Sequence, residues 1–353
     1  MKGLVLAGGR GTRLRPITHT SAKQLVPVAN TPILFYGLRQ LAAAGVTDVG
    51  IVVGQTGAAV RAAVGDGSAF GIDVTWVEQP EPLGIAHAVL VAADFLAGDD
   101  VVVFLGDNLL EGGVSELVED FERERPDAHV LLKRVDDPGR FGVAEVDAEG
   151  RLLGLEEKPE QPRSDLALVG VYLFGPAVHE AVRAIGPSAR GELEITDAIQ
   201  YLLDDGRDVR STVLAGWWLD TGKKDELLDA NQAVLAGLRR RVDGEVDQDS
   251  VLVGEVVVEA GARVVRSRVE GPVVVGADSS VVDSHVGPGT SIGAGCTVQR
   301  SWLAASVVLD GCVLRDAPRL ERSLLGRGVT VTRAPDDATA TRLLVGDDAV
   351  LEL

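Results

Sequence analysis

The densest chemistry in the chain lies near its start, where the apolar run Leu4-Val5-Leu6-Ala7 empties into Gly8-Gly9-Arg10-Gly11-Thr12-Arg13-Leu14, with Lys23-Gln24-Leu25-Val26-Pro27 close behind. Three glycines in four residues let a backbone pass near a ligand and aim amide groups at it, and Arg10, Arg13, Arg15 and Lys23 add positive charge. A polyphosphate suits both features. Two commoner phosphate loops are excluded: Walker A ends on Gly-Lys followed by Ser or Thr, which is missing, and the dinucleotide fingerprint needs a third glycine where Leu14 stands. A tight turn with incidental arginines is the plainer alternative.

Two aspartates add to this. Asp107 leaves the run Val101–Leu105 in Gly106-Asp107-Asn108, and Asp220 stands in Trp217-Trp218-Leu219-Asp220-Thr221-Gly222. Alone, each is an ordinary turn residue; together they could hold Mg2+, which takes one or two carboxylates plus phosphate oxygens and water. Between them lie Phe141-Gly142-Val143, Glu156-Glu157-Lys158-Pro159 and a stretch, 189–197, that reads as a loop feeding a helix, with Arg190 available for an anion. Pro159 drives Lys158 out of helical geometry, so Glu157 and Lys158 are expected to leave an extended segment on opposite faces.

Positioning these residues takes more than one domain. At roughly 100–200 residues per domain, 353 residues suit two. The net charge of -19 argues against nucleic-acid or anionic-membrane partners, which most of this surface would repel. The N-terminus lacks the pattern of a signal peptide and no apolar run reaches membrane-spanning length, so a cytoplasmic protein is expected, with Cys296 and Cys312 as packed thiols rather than a disulfide.

Up to about residue 220, short β-branched runs alternate with helical patterns. Asp48–Val53, residues 74–77 and Val101–Leu105 read as strands of a sheet covered on both faces, and a helix is expected with Pro32 at its first position and Gly45 past its end. In such open sheets ligands bind beyond the carboxyl ends of strands, where the glycine loop and Asp107 both fall. Residues 223–238 carry apolar residues at helical spacing and read as a connector helix ended by Arg239-Arg240-Arg241 at the negative end of its dipole.

From about residue 256 the chain repeats. Val258, Val275 and Ile292 recur at 17-residue spacing, Leu309 extends the series, and within each block aliphatics recur every five or six residues: Val275, Val281, Val286, Ile292, Val298, Leu303, Leu309. This pattern describes a three-sided solenoid of four or five parallel coils, whose narrow interior fits an aromatic content of only 4%. Residues 343–353 read as one more strand or hairpin. His285 is the only histidine after residue 179 and so the only candidate base for an acyl-transferring solenoid, a rival reading.

Taken in order, the motifs resemble those of the sugar-phosphate nucleotidyltransferases: Gly8-Gly9 through Leu14, Lys23 to Pro27, Gln79-Pro80 with Pro82-Leu83-Gly84-Ile85-Ala86, Gly106-Asp107-Asn108, Glu156 to Pro159, Gly191 to Asp197 and Trp218 to Gly222. The resemblance implies an α/β fold: a Rossmann-like, mostly parallel sheet in a nucleotidyltransferase domain over 1–240, then a left-handed parallel β-helix domain over 245–353. It implies in-line attack of a sugar-1-phosphate oxygen on the α-phosphorus of a nucleoside triphosphate, with pyrophosphate leaving and Mg2+ as cofactor. In that scheme Arg13 and Lys23 hold the triphosphate, Asp107 and Asp220 the metal, and Lys158 with Arg190 the sugar phosphate. Glu157, Gly142 and Val171 line the sugar pocket, Gln79 and Gly84 read the base, and Leu6, Gly8, Gly9, Gly11 and Gln24 lie along the nucleotide. Gln24, where other branches of the family carry proline, points to dTTP, and the resemblance implies glucose 1-phosphate as the acceptor. His87, where shorter members carry glutamine, fits either a satisfied helix histidine or a ligand contact. A homo-oligomer is expected from the β-helix.

Overall fold

A computed structural model describes residues 1–9, 11–333 and 344–352; Arg10 and Leu343 of the motifs above lie outside them. Contacts divide the chain into two compact units, one of Met1–Arg10, Ala22–Leu25 and Ile33–Asp220, the other of Gly11–Ser21, Val26–Pro32 and Thr221–Leu353.

The first unit is built on a nine-stranded sheet in which Val101–Leu105, Lys2–Leu6, Asp48–Val53 and Asp73–Glu78 lie side by side in that order, all parallel. Successive side chains of a strand point to opposite faces, and here both sets are buried. Leu4, Val52, Val101 and Val103 enter one cluster with Ala86, Val89, Ile199 and Leu202 of helices Ile85–Val91 and Ile195–Asp204. Val5, Ile51, Val53, Val102 and Phe104 enter the other with Leu34, Leu38, Val118 and Phe121 of helices Ile33–Ala43 and Ser115–Glu124. Each such residue contributes about 1.5–3 kcal/mol relative to exposure, which is why the strand sequences are continuously apolar. Asp73–Glu78 departs from that expectation because it is the edge: Val77 alone is buried, and Trp76 is covered by the Arg61 guanidinium.

Beyond Val101–Leu105 the pairings are antiparallel except that of Val209–Val213 with Ala128–Arg134, which is parallel. Leu166–Phe174 pairs antiparallel with Val101–Leu105 and with Ala128–Arg134, and Leu152–Glu157 pairs antiparallel with Gly142–Val146. Pro32 does not open a helix as expected; it pairs with Pro27 in a small hairpin, and the helix begins at Ile33.

The second unit contains the left-handed parallel β-helix. Two of its sheets have six strands and the third has five, beginning at Arg241–Val242, a coil earlier than the repeat is legible. Val258, Val275, Ile292, Val264, Val281, Val298, Val269, Val286 and Leu303 fill its interior with both cysteines, which are buried and free. The fourth coil corrects the expected spacing. Val308, not Leu309, stacks on Ile292, because the turn after Trp302–Ala304 is one residue shorter than its predecessors; a longer turn before Leu320–Glu321 restores the register. Leu309 faces outward, onto Leu228 and Ile17. At one corner Ser250, Ser267, Ser284 and Ser301 each accept, through Oγ, the backbone N–H of the residue one coil on. His285 stacks on Trp302 on the same side of the helix.

The helix expected as a connector spans Lys224–Ala236 and is packed within this unit, Leu228 against Val307 and Leu309 and Leu235 against Val257 and Val274. Between them Asn231 is fully buried: it accepts from Ala29 N and Ser291 Oγ and donates to Gly289 O. The arginine triplet does not sit in its last turn; Arg240 N donates to Glu255, and Arg241 is already a coil strand. Nor do residues 344–352 form a strand: Leu344, Val345, Val350 and Leu351 are exposed, and Asp348 meets His19 and Lys224. Among the described residues no helix is long and apolar enough to cross a membrane.

Candidate active site

Strand register sets one edge of the first unit's sheet. Leu6 lies beside Val52 and Leu105, Ala7 N donates to Val52 O and Gly106 N to Leu6 O, so the loops at Gly8, Gly54 and Gly106-Asp107 leave the sheet together at its carboxyl edge. Directly after Asp107, Asn108–Leu110 forms a two-stranded antiparallel ribbon with Trp218–Asp220, in which Asn108 lies opposite Asp220. That ribbon brings together two aspartates more than a hundred residues apart in sequence.

Lys23, in the short helical turn Lys23–Leu25, pairs with Asp107 and lies 3.7 Å from Asp220, and only 6% of it is exposed. Burial alone would raise the Asp107 carboxyl; the Lys23 ammonium and the Asn108 amide outweigh it and hold Asp107 below the ordinary carboxylate range. Asn108, itself buried, donates to Asp107 Oδ1 at 3.0 Å and accepts at 2.6 Å from Trp218 Nε1. The Trp218 ring packs on Phe141, centroids 5.0 Å apart, and Phe141 O accepts from Lys158 N. Asn108 and Trp218 thus tie the aspartate pair to the Lys158 segment. Both belong to motifs visible in the sequence, yet their role is set by pairing that the sequence does not display.

Lys158 corrects an expectation. Its φ is +44°, in the left-handed region, and its ammonium lies 2.7 Å from Glu157 Oε1 instead of on the opposite face. Arg190 Nη1 donates to the same oxygen at 3.1 Å and meets Glu194, its Nη2 donates to Glu192, and Thr196 donates to Glu157 Oε2. Two cations therefore converge on one carboxylate at the end of Leu152–Glu157. Gly142, opposite Glu157 in the ladder, leaves no room for a side chain: a Cβ there would stand 2.6 Å from Thr196 Cγ2. Burial raises Glu194, and it raises Asp197, which Glu157 raises further. Tyr172 links the two clusters electrostatically: its ionisation is opposed first by burial and then by Glu157, Asp107 and Asp220 together. Val171 is wholly buried against the Phe104 side of the core, so its side chain serves packing.

The third group surrounds Gly8. Gln79 is 8% exposed, and its amide nitrogen donates to Gly84 O and His87 Nδ1. Its Oε1 lies on the Gly8 side, 3.7 Å from where a Gly8 Cβ would be. Gly84 needs its glycine, with φ +104° and a Cβ position only 2.3 Å from Leu193 O. Gln24 is buried with an Oε1 that has no hydrogen-bond partner among the described residues, and its Nε2 would be 3.2 Å from a Gly9 Cβ. Leu6 ends the first strand. Gly11 and Arg13 belong to the second unit, Gly11 capping the turn Thr12–Leu14 at φ +64° and Arg13 exposed on it.

Glycine turns and a buried lysine between two aspartates, all at the carboxyl edge of an α/β sheet, make an arrangement whose chemistry suits phosphate groups. The chain belongs to the nucleotidyl transferase family, whose profile matches residues 2–237. It is 58% identical over 347 residues to a glucose-1-phosphate thymidylyltransferase of Streptomyces griseus, covering 98% of each chain, and 54% identical over 354 residues to one of Streptomyces antibioticus, covering 100% of this chain and 99% of the other. A Bacillus anthracis chain assigned as a glucose-1-phosphate thymidylyltransferase and solved with sucrose superposes with a TM-score of 0.64 at 38% identity, covering 68% of this chain and 97% of that one.

Proposed function

We propose that the enzyme transfers a thymidylyl group from dTTP to glucose 1-phosphate, giving dTDP-glucose and pyrophosphate. The observation that carries the reading is the pair of cation–carboxylate clusters in one unit, Lys23 with Asp107 and Asp220, and Lys158 and Arg190 on Glu157. The names of the full-length Streptomyces relatives supply the substrates.

No protein nucleophile is needed. Lys158 and Arg190 exchange Glu157 for the sugar phosphate and hold its oxygen toward the α-phosphorus; Lys23 meets the charge that grows on the departing pyrophosphate. Glu157, released from its cations, accepts from sugar hydroxyls beside Gly142. The unpartnered Gln24 Oε1 waits for a donor on the nucleoside. Asp107 and Asp220 present hard oxygen donors beside the Lys23 ammonium, a set that fits Mg2+. Bound between them, Mg2+ would supply charge neutralisation for the phosphates.

Pyrophosphate release measured across dTTP, UTP, dCTP and ATP, each with glucose, mannose and N-acetylglucosamine 1-phosphates, tests this. The highest kcat/KM is expected for dTTP with glucose 1-phosphate, and absence of turnover with that pair would reject the reading.

A further inference from the structure

The geometry points to His87 as the residue that fixes the orientation of the Gln79 amide and thereby decides that the nucleotide pocket accepts a base carrying an imide N–H. The inference rests on Gln79 facing the base, as set out above.

A glutamine amide has two ends of almost equal shape and opposite chemistry, so a half-turn about its last bond exchanges an acceptor for a donor pair. In a pocket that reads a base through this group, orientation is selectivity. Gln79 is more than nine-tenths buried, so water cannot compensate for a wrong orientation. Both hydrogens of its Nε2 are engaged, one on Gly84 O at 3.2 Å and one on His87 Nδ1 at 3.0 Å. Gly84 O can only accept. His87 Nδ1 accepts only in the neutral tautomer that carries its proton on Nε2. A flipped amide would set Oε1 against the Gly84 carbonyl oxygen and would oblige His87 to move its ring proton to Nδ1.

Both acceptors come from one rigid turn. Gly84 is held against Leu193, whose carbonyl also accepts from Ala86 N at 3.1 Å, and helix Ile85–Val91 then presents His87. Gln79 Oε1 is left toward Gly8 as a pure acceptor. Thymine and uracil offer a ring N–H at N3, whereas cytosine offers a lone pair at the same position and would be repelled. His87 therefore separates dTTP from dCTP without separating dTTP from UTP.

The test compares kcat/KM for dTTP and dCTP, at saturating glucose 1-phosphate, in the wild type and the variants Gln79→Leu, His87→Leu and His87→Gln. Losing one of two restraints should cut the dTTP-to-dCTP ratio about tenfold in His87→Leu, the worth of one hydrogen bond, with the KM for glucose 1-phosphate unchanged. His87→Gln, whose own Oε1 can accept from Nε2 of Gln79, should restore the ratio. A wild-type ratio in His87→Leu alongside a lowered ratio in Gln79→Leu overturns the His87 inference and leaves the base reading standing. A wild-type ratio in Gln79→Leu removes the base reading, and the inference with it. Should His87→Leu not fold, imidazole 15N spectra of the wild-type enzyme decide: an unprotonated Nδ1 on His87 is expected, and the Nδ1–H tautomer refutes the inference.

Discussion

Trp218→Phe removes one N–H donor and leaves an aromatic ring against Phe141. In the native protein Trp218 Nε1 donates at 2.6 Å to Asn108 Oδ1, and Asn108 in turn donates at 3.0 Å to Asp107 Oδ1. Asn108 is only 3% exposed, and a Cβ on Gly170 would lie 2.5 Å from its Oδ1, so the amide has little freedom to find a new partner. A buried acceptor stripped of its donor costs about 1–3 kcal/mol. That cost falls on the orientation of Asp107, and outer partners of a metal-holding carboxylate typically change affinity or activity about 10–100-fold. The half-saturating Mg2+ concentration for pyrophosphate release should therefore rise about tenfold or more, while the KM for glucose 1-phosphate stays close to that of the wild type because the Phe141 contact persists. A lowered Tm with an unchanged Mg2+ titration would refute the reasoning and reduce Trp218 to packing.

Lys23→Met leaves Asp107 without its ammonium and should destabilise the fold by about 3 kcal/mol, the lower end for a broken buried pair, because 21% of the Asp107 side chain still meets water. A carboxyl held below its ordinary value stabilises the fold above about pH 4 and loses that contribution as pH falls through the lowered value, so the Tm gap between wild type and variant should be full at pH 7 and shrink below pH 4. In Gly84→Ala the new Cβ meets Leu193 O at φ +104°, and we expect a lower Tm in thermal melts together with a loss of kcat/KM for dTTP of at least about a hundredfold. Asn231→Leu strands Ala29 N, Gly289 O and Ser291 Oγ, which should cost about 3 kcal/mol in denaturant unfolding of the full chain.

The sequence carried the layers and the repeat because both rest on periodicity. Continuous apolar runs became strands buried on two faces, and the 17-residue recurrence became stacked coils. The features that local pattern does not carry depend on partners distant in the chain. The edge position of Asp73–Glu78, the antiparallel half of the sheet and the one-residue slip at Val308 each follow from which strand lies beside which, and local pattern does not state that. The first coil went unread because Arg241–Val242 and Glu245–Val246 cap the solenoid and lack its buried aliphatics. At the site, residue types were legible and conformations were not. Pro159 removed the helix option for Lys158 but could not distinguish an extended residue from a left-handed one, and only the latter turns the ammonium back onto Glu157. Val171 reads like any strand valine, and the core claims its side chain.

The central claim is that one site joins two phosphates directly. Enzyme incubated with dTTP, glucose 1-phosphate and Mg2+, with the products resolved by 31P NMR, tests it: dTDP-glucose and pyrophosphate should appear in equal amounts, and neither should form when either substrate is withheld. Release of dTMP or inorganic phosphate in place of that pair, or pyrophosphate formed from dTTP alone, would contradict it.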